Sequence, residues 1–293
     1  MSTSELYIGI SGVGCEVDSF DLGHGVVLNK TYAHLFAPFM MAFARPENEG
    51  QHHPAPWAAA KGGLAFDLTL QLTIPSDVTS NLPCDQTTAG WWLTALMRLR
   101  AGPRLRVPAM SNYPLAKESA AAEDLRIHPV EVEPHQLMID PEAKRALTVR
   151  DLEWTRDHWI GSLAMLDESS GFAVLLESVD QAAFHRNPQL AMLTLWTGIE
   201  EVFSPSKSEL RYRISSVIAA YLEPLGRTRL ARQKAVAKLY DSRSTAAHGR
   251  GETSLEPLWD TYDLARQAVV KMVAERHVPT KAELEERMFG VEE

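Results

Sequence analysis

Residues 63–74 alternate strictly, with Leu64, Phe66, Leu68, Leu70, Leu72 and Ile74 on one face and Asp67, Thr69, Gln71 and Thr73 on the other. A period of two sends successive side chains to opposite sides of a strand, so this stretch predicts a half-buried strand of an antiparallel sheet. Shorter apolar runs at 6–10, 15–22 and 26–29, punctuated by Gly9, Gly12, Gly14, Gly23 and Gly25, predict further strands with glycine turns. Residues 104–109 and 125–139 predict two more. The second belongs at a sheet edge, because Pro129 and Pro134 cannot donate to a ladder. Residues 32–43 are apolar with no clear period and are expected to form a buried helix, followed by a polar, proline-containing loop over 45–57. Residues 85–100 predict a helix whose apolar surface is Trp91, Trp92, Leu93, Leu96, Met97 and Leu99, and 117–124 a loop or single helical turn.

After Asp140-Pro141 the period becomes helical throughout. Helices are expected over 148–167, 172–203 with a break at Asn187-Pro188, 208–222, 229–247 and 255–276. Thr148 with Asp151 forms a cap and acidic first turn, and Ser254 followed by Pro257 starts the last long helix. The expected fold class is α+β: a mixed α+β domain over 1–147, an all-α helical bundle over 148–278 and an acidic C-terminal tail over 279–293 that forms a short peripheral helix or a frayed end.

At 293 residues and 45% apolar content the chain can bury two cores. No run approaches the roughly 18 apolar residues that span a bilayer, and the start lacks a secretory pattern, so a cytoplasmic protein without membrane contact is expected. Cys15 and Cys84 lie far apart and outside any spaced metal motif, so no disulfide is expected. His52 and His53 have no further ligands spaced nearby, and no metal or cofactor is expected. The net charge of −9 argues against indiscriminate nucleic-acid coating, yet residues 205–250 carry ten Lys/Arg against three Asp/Glu. Within that segment Arg211, Arg232, Lys238 and Arg250 are candidate RNA contacts, while a solvated helix face would show the same charges. The N-terminal half contains no glycine-rich phosphate loop and no nucleophile elbow.

The chemistry concentrates in YDSRSTAAHGRG, residues 240–251. Val236, Leu239 and Tyr240 make one apolar stripe, and at about 100° per residue Arg243 falls in its middle, as does Ala247. A guanidinium there requires a carboxylate or a phosphate. On a regular helix His248 is about 140° away from Arg243, but Gly249 is suited to end the helix and lets the chain swing the imidazole back. In 189–203, Met192, Trp196, Ile199 and Phe203 share a face, with Glu200 at its flank and Glu201 outward, so Glu200 is a candidate partner for Arg243. Two readings stand: Arg243 faces a cleft and awaits phosphate, or it pairs with Glu200 and is structural, with His248 closing the helix dipole.

The helical half, with a tryptophan-bearing helix ending IEEVF, the SELRYRISSVIAAYL helix after it and LYDSRSTAAHG near the end of the next, resembles the HEPN superfamily and within it the ApeA-like branch. The signature is an arginine and a histidine separated by four to six residues, met by Arg243 and His248. The resemblance covers residues 148–276. It implies a metal-independent endoribonuclease of toxin or antiviral defence systems, acting on an RNA substrate as a homodimer through the helical domain, under an antitoxin or other regulatory partner. It also implies that Arg243 and His248 are catalytic, with Ser244 supporting; Glu200 joins them as the carboxylate that helical spacing nominates, and Tyr240, one turn before Arg243, either walls the cleft or, the favoured reading, is a core aromatic. Many active members carry Asn, Asp or His after the arginine, where this chain has Ser244, a shorter hydrogen-bonding group. Other members have lost catalysis, and a non-catalytic module that binds RNA or a partner protein is the alternative expectation.

Overall fold

The computed structural model describes residues 5–80, 82, 84–133, 137, 144–204, 210–247 and 254–291, with the side chains of 37–39, 61–64 and 79 excepted. Six strands form one antiparallel sheet: β1 (Leu6–Ser11), β3 (Ser19–Asp21), β4 (Val27–Ala42), β5 (Trp57–Ile74), β6 (Arg106–Ser111) and β7 (Ile127–Pro129), in the order β3-β4-β5-β1-β6-β7. The remaining strands, β2 (Gly14–Cys15) and β8 (Ala146–Leu147), pair in parallel and join the start of the chain to the start of its helical half. The helices are α1 (Gln86–Ala101), α2 (Val149–Leu163), α3 (Met165–Glu168), α4 (Ser170–Gln181), α5 (Pro188–Phe203), α6 (Leu210–Leu222), α7 (Arg227–Ala247), α8 (Leu255–Glu275) and α9 (Lys281–Phe289). The expected α+β class, sheet first and helices after, is the observed one.

The alternating stretch forms the inner part of β5, where Leu68, Leu70, Leu72 and Ile74 are buried and pair with β1 and β4. The expected buried helix over 32–43 is a correction: residues 32–42 belong to β4, which pairs with β5 in register from Ala33↔Leu68 to Ala42↔Trp57. A continuous apolar run does not distinguish a helix from a strand, and the partner that decides it lies beyond a 14-residue hairpin tip. The run is also largely exposed, Tyr32, Phe36, Met40, Met41 and Phe43 included. Of the strand expected over 125–139, residues 134–136, 138 and 139 lie outside the described residues; among the rest β7 forms, at the sheet edge where Pro129 is tolerated.

Asp85 caps α1 by accepting the Thr88 N–H at 2.7 Å, and Thr148 and Asp151 form a reciprocal capping box at the start of α2. Between them the core is continuous across both halves of the chain, from Ile8, Leu72 and Trp92 to Trp159, Phe172 and Trp196. Trp92 Nε1 donates to the Trp159 carbonyl at 2.8 Å, and Trp159 Nε1 to the Leu22 carbonyl at 2.9 Å. A buried ion network sits at the same junction. Arg98 of α1, 2% exposed, donates to Asp180 of α4, to both oxygens of Glu131 at 2.7 and 2.9 Å, and through Nε to the Leu105 carbonyl at 2.9 Å. Burial alone would lower the Arg98 pKa, but the two carboxylates outweigh it and hold the guanidinium charged above its ordinary range.

Arg98→Met is expected to cost about 3–5 kcal/mol, because Asp180 is then buried without its cation. Urea denaturation measures the loss, and adding Asp180→Asn should recover part of it. A second expectation concerns pH. Burial would raise the Asp151 pKa, but the Thr148 hydroxyl and N–H and the Lys144 ammonium lower it below its ordinary 3.8. Its contribution is therefore complete above that value and is lost as pH falls through the lower folded one. The urea-midpoint gap between wild type and Asp151→Asn should accordingly shrink between about pH 6 and about pH 2.

Candidate functional site

The candidate site lies where α5 meets α7. Asn187 and Pro188 start α5, the asparagine side chain accepting the Gln189 N–H at 2.8 Å. From there Met192, Trp196, Ile199 and Phe203 are buried on one face, Glu200 is half-buried at its flank, and Glu201 is exposed. Gly198 lets α4 come close, since a Cβ there would lie 2.8 Å from the Leu175 Cα.

Helix α7 is polar on most of its surface, and among its described residues only Val236, Ala237 and Ala246 are buried. Ala247, expected on the apolar stripe, is exposed and Ala246 is buried instead: the two flank Arg243 on either side around the helix, and the α5-facing side takes Ala246. Tyr240 and Arg243 are half-buried, one turn apart on the side facing α5. The Tyr240 ring meets Trp196 edge-on, with centroids 5.2 Å apart, and the Arg243 guanidinium lies 5.7 Å from the centre of the Tyr240 ring.

Arg243 and Glu200 form the pair that residue spacing allowed. Arg243 NH2 stands 3.1 Å from Glu200 Oε1 and 3.3 Å from Oε2, with hydrogen-bond geometry only to Oε2. Both side chains keep part of their surface in solvent, 30% and 26% respectively. Three neighbouring atoms are nevertheless sealed from solvent and, among the described residues, lack a hydrogen-bond partner: Arg243 Nε, Glu200 Oε1 and Trp196 Nε1. Five such side-chain atoms occur in the described chain, and three meet here, marking the spot as polar beyond its own means of satisfaction. Trp196 was legible in the sequence as a core residue only; whether an indole N–H finds an acceptor is not encoded in helical spacing.

The other candidate residues are distributed along α6 and α7. Arg211 forks onto Asp241 with bonds of 2.6 and 2.7 Å, which brings the start of α6 to within two residues of Arg243 in chain position. Arg232 reaches Glu223 Oε1 at 3.1 and 2.9 Å and lies about 16 Å from Arg243 along the helix axis. Lys238 is exposed, on the wall of a groove of about 580 Å³ between α7 and α8 whose far side carries Asp260 and Asp263. Burial, and then Glu256 and Asp263, raise the Asp260 pKa. A second groove, about 540 Å³, opens on the other side of α7 against α6 and α9, lined in part by Tyr212, Arg229 and Phe289. Neither groove includes Arg243. Ser244 is half-buried beside it. His248 and Arg250 lie outside the described residues.

Elsewhere, Cys15 and Cys84 are free and half-buried. Among the described residues no group of three or more His, Cys, Asp or Glu is placed to hold a metal ion, and no helix is long and apolar enough to cross a membrane. No family model, curated protein or solved structure matches this chain.

A part-exposed ion pair contributes little to stability, so Arg243→Gln or Glu200→Gln is expected to cost at most about 1 kcal/mol, against the several expected at Arg98. Urea denaturation of the three variants makes the comparison. A loss at Arg243 as large as at Arg98 would identify a structural arginine.

Proposed function

We propose that this chain is a HEPN-type, metal-independent endoribonuclease acting in the cytoplasm, with Arg243 on the scissile phosphate and His248 as the proton-transfer group. The observation that carries the proposal is the Arg243 guanidinium: half-buried, steered by Tyr240 and Glu200, yet with 30% of its side chain open to solvent. A phosphate oxygen is the acceptor such a fork suits best.

RNA brings its own nucleophile, so few protein groups are needed. One imidazole takes the proton of the 2′-hydroxyl, the 2′-oxygen bonds to phosphorus, and the bond from phosphorus to the 5′-oxygen breaks as that oxygen takes a proton from the imidazolium of the second protomer. Arg243 stabilises the charge that gathers on the non-bridging oxygens. The products are a 2′,3′-cyclic phosphate and a 5′-hydroxyl. Homodimer formation through the helical domain would bring a second Arg243/His248 set to the same cleft. The sheet half would sense a trigger, restrain cleavage or select the RNA, under control of an antitoxin or other regulatory partner.

A second reading is favoured by one observation, the internal Arg243–Glu200 pair. On that reading the helical half binds RNA or an acidic partner without cutting. Incubation of the purified chain with RNA in the presence of a chelator separates the two. Cleavage leaving cyclic phosphate ends, reduced about 10²–10⁴-fold by His248→Ala and about 10²–10³-fold by Arg243→Ala, is the expected result. Salt-sensitive RNA binding with no cleavage would instead establish the second reading.

A further inference from the structure

Beyond the sheet, β4 and β5 continue as a two-stranded ribbon. The partner β3 leaves β4 after Asn29, and β1 meets β5 only from Leu70 onward, so from Ala33↔Leu68 to Ala42↔Trp57 the two strands have, among the described residues, no strand partner but each other. A two-stranded ribbon in water is marginal by itself. This one nevertheless displays Tyr32, Phe36, Met40, Met41, Phe43 and Trp57, each between 48% and 70% exposed.

The polar handles on the ribbon are already occupied. Trp57 Nε1 donates to the carbonyls of His53 and Pro54 at 2.9 and 3.0 Å, and Asp67 takes His34 Nδ1 at 2.8 Å and the Tyr32 hydroxyl at 3.4 Å. Beside the open backbone edges of the two strands, what remains outward is ring and thioether surface. Among the described side chains, the charged groups that proteins ordinarily place on open strands are sparse: Lys30 is held by Asp18, and His34 faces Asp67.

We propose that this ribbon is a self-association surface, covered in solution by the same ribbon of a second copy of the chain. Area supports that occupant. Met41 points to the opposite face from its neighbour Met40, but Tyr32, Phe36, Met40 and Trp57 share one face, are 57–70% exposed and, each exposing on the order of 150 Å², supply about 600 Å² per copy. Two copies then bury about 1,200 Å², the lower bound for a specific interface, before the flanking alanines are counted. Charge supports it too, because the ribbon is close to neutral and a second ribbon is not repelled, whereas a polyanion finds no row of cations there and an anionic bilayer meets a chain of net charge −9. The surface is independent of Arg243, and its test involves no RNA.

Multi-angle light scattering of the full chain across a concentration series tests the proposal. The double substitution Phe36→Glu/Met40→Glu, at exposed positions, is expected to halve the mass of the assembly without changing the far-ultraviolet circular dichroism. In the wild-type chain, amide exchange across residues 31–43 and 57–66 is expected to slow as concentration rises, a readout that does not depend on how the variant folds. A wild-type chain that stays monomeric at every concentration overturns the proposal. So does an assembly whose mass survives the double substitution. Sedimentation of a monomeric wild-type chain with neutral vesicles would overturn it in favour of a lipid surface.

Discussion

A single buried arginine ties the two halves of this protein together. Arg98 stands on the helix that covers the sheet, yet its charge is neutralised by Asp180 from the helical bundle and by Glu131 from the strand-edge segment, and its Nε is held by the Leu105 carbonyl. Each of these groups would be costly to bury alone, so each fixes the position of the others. Glu131 extends the arrangement by accepting the Val107 N–H at 2.6 Å, which ties the network to β6. The tryptophan chain from Leu22 through Trp159 to Trp92 runs beside it and supplies the apolar part of the same junction. The change from strands to helices at residue 148 is therefore a change of secondary structure within a continuous core.

Much of this was legible in the sequence where local chemistry decides the outcome. The strict alternation of 63–74 specified a strand with a buried face, and the Thr148/Asp151 and Asn187-Pro188 signals placed helix starts to within a residue. What could not be read depends on partners far away in the chain. Residues 32–43 have the composition of a buried element and become an exposed strand only because 57–68 lie opposite. The parallel pairing of Gly14 with Ala146 spans most of the sheet half and leaves no local trace. Similarly, Glu200 could be nominated for Arg243 from helical spacing, while the cluster of unmet polar atoms around them could not, because hydrogen-bond satisfaction is a property of the assembled site.

Among the described residues, the α5–α7 junction and the β4–β5 ribbon depart from a self-satisfied fold in opposite ways. At the junction of α5 and α7 polar atoms are sealed away with too few partners. On the β4–β5 ribbon apolar surface is left in water with its polar handles already used. The costs differ in kind: unmade hydrogen bonds at the first, and hydrated apolar surface at the second.

The way α7 is held has a consequence of its own. With few apolar anchors, it is attached by a row of polar links: Arg229 to the Glu223 carbonyl, Arg232 to Glu223, Gln233 to Ser215, Asp241 to Arg211 and Arg243 to Glu200. Arginines taking part in this row are the same groups a polyanion would seek. A phosphate chain laid along the helix must compete with the carboxylates that dock it, and dissolved salt weakens both associations together. Occupancy of this face and attachment of the helix draw on one set of cations, so the position of α7 would report what is bound to it.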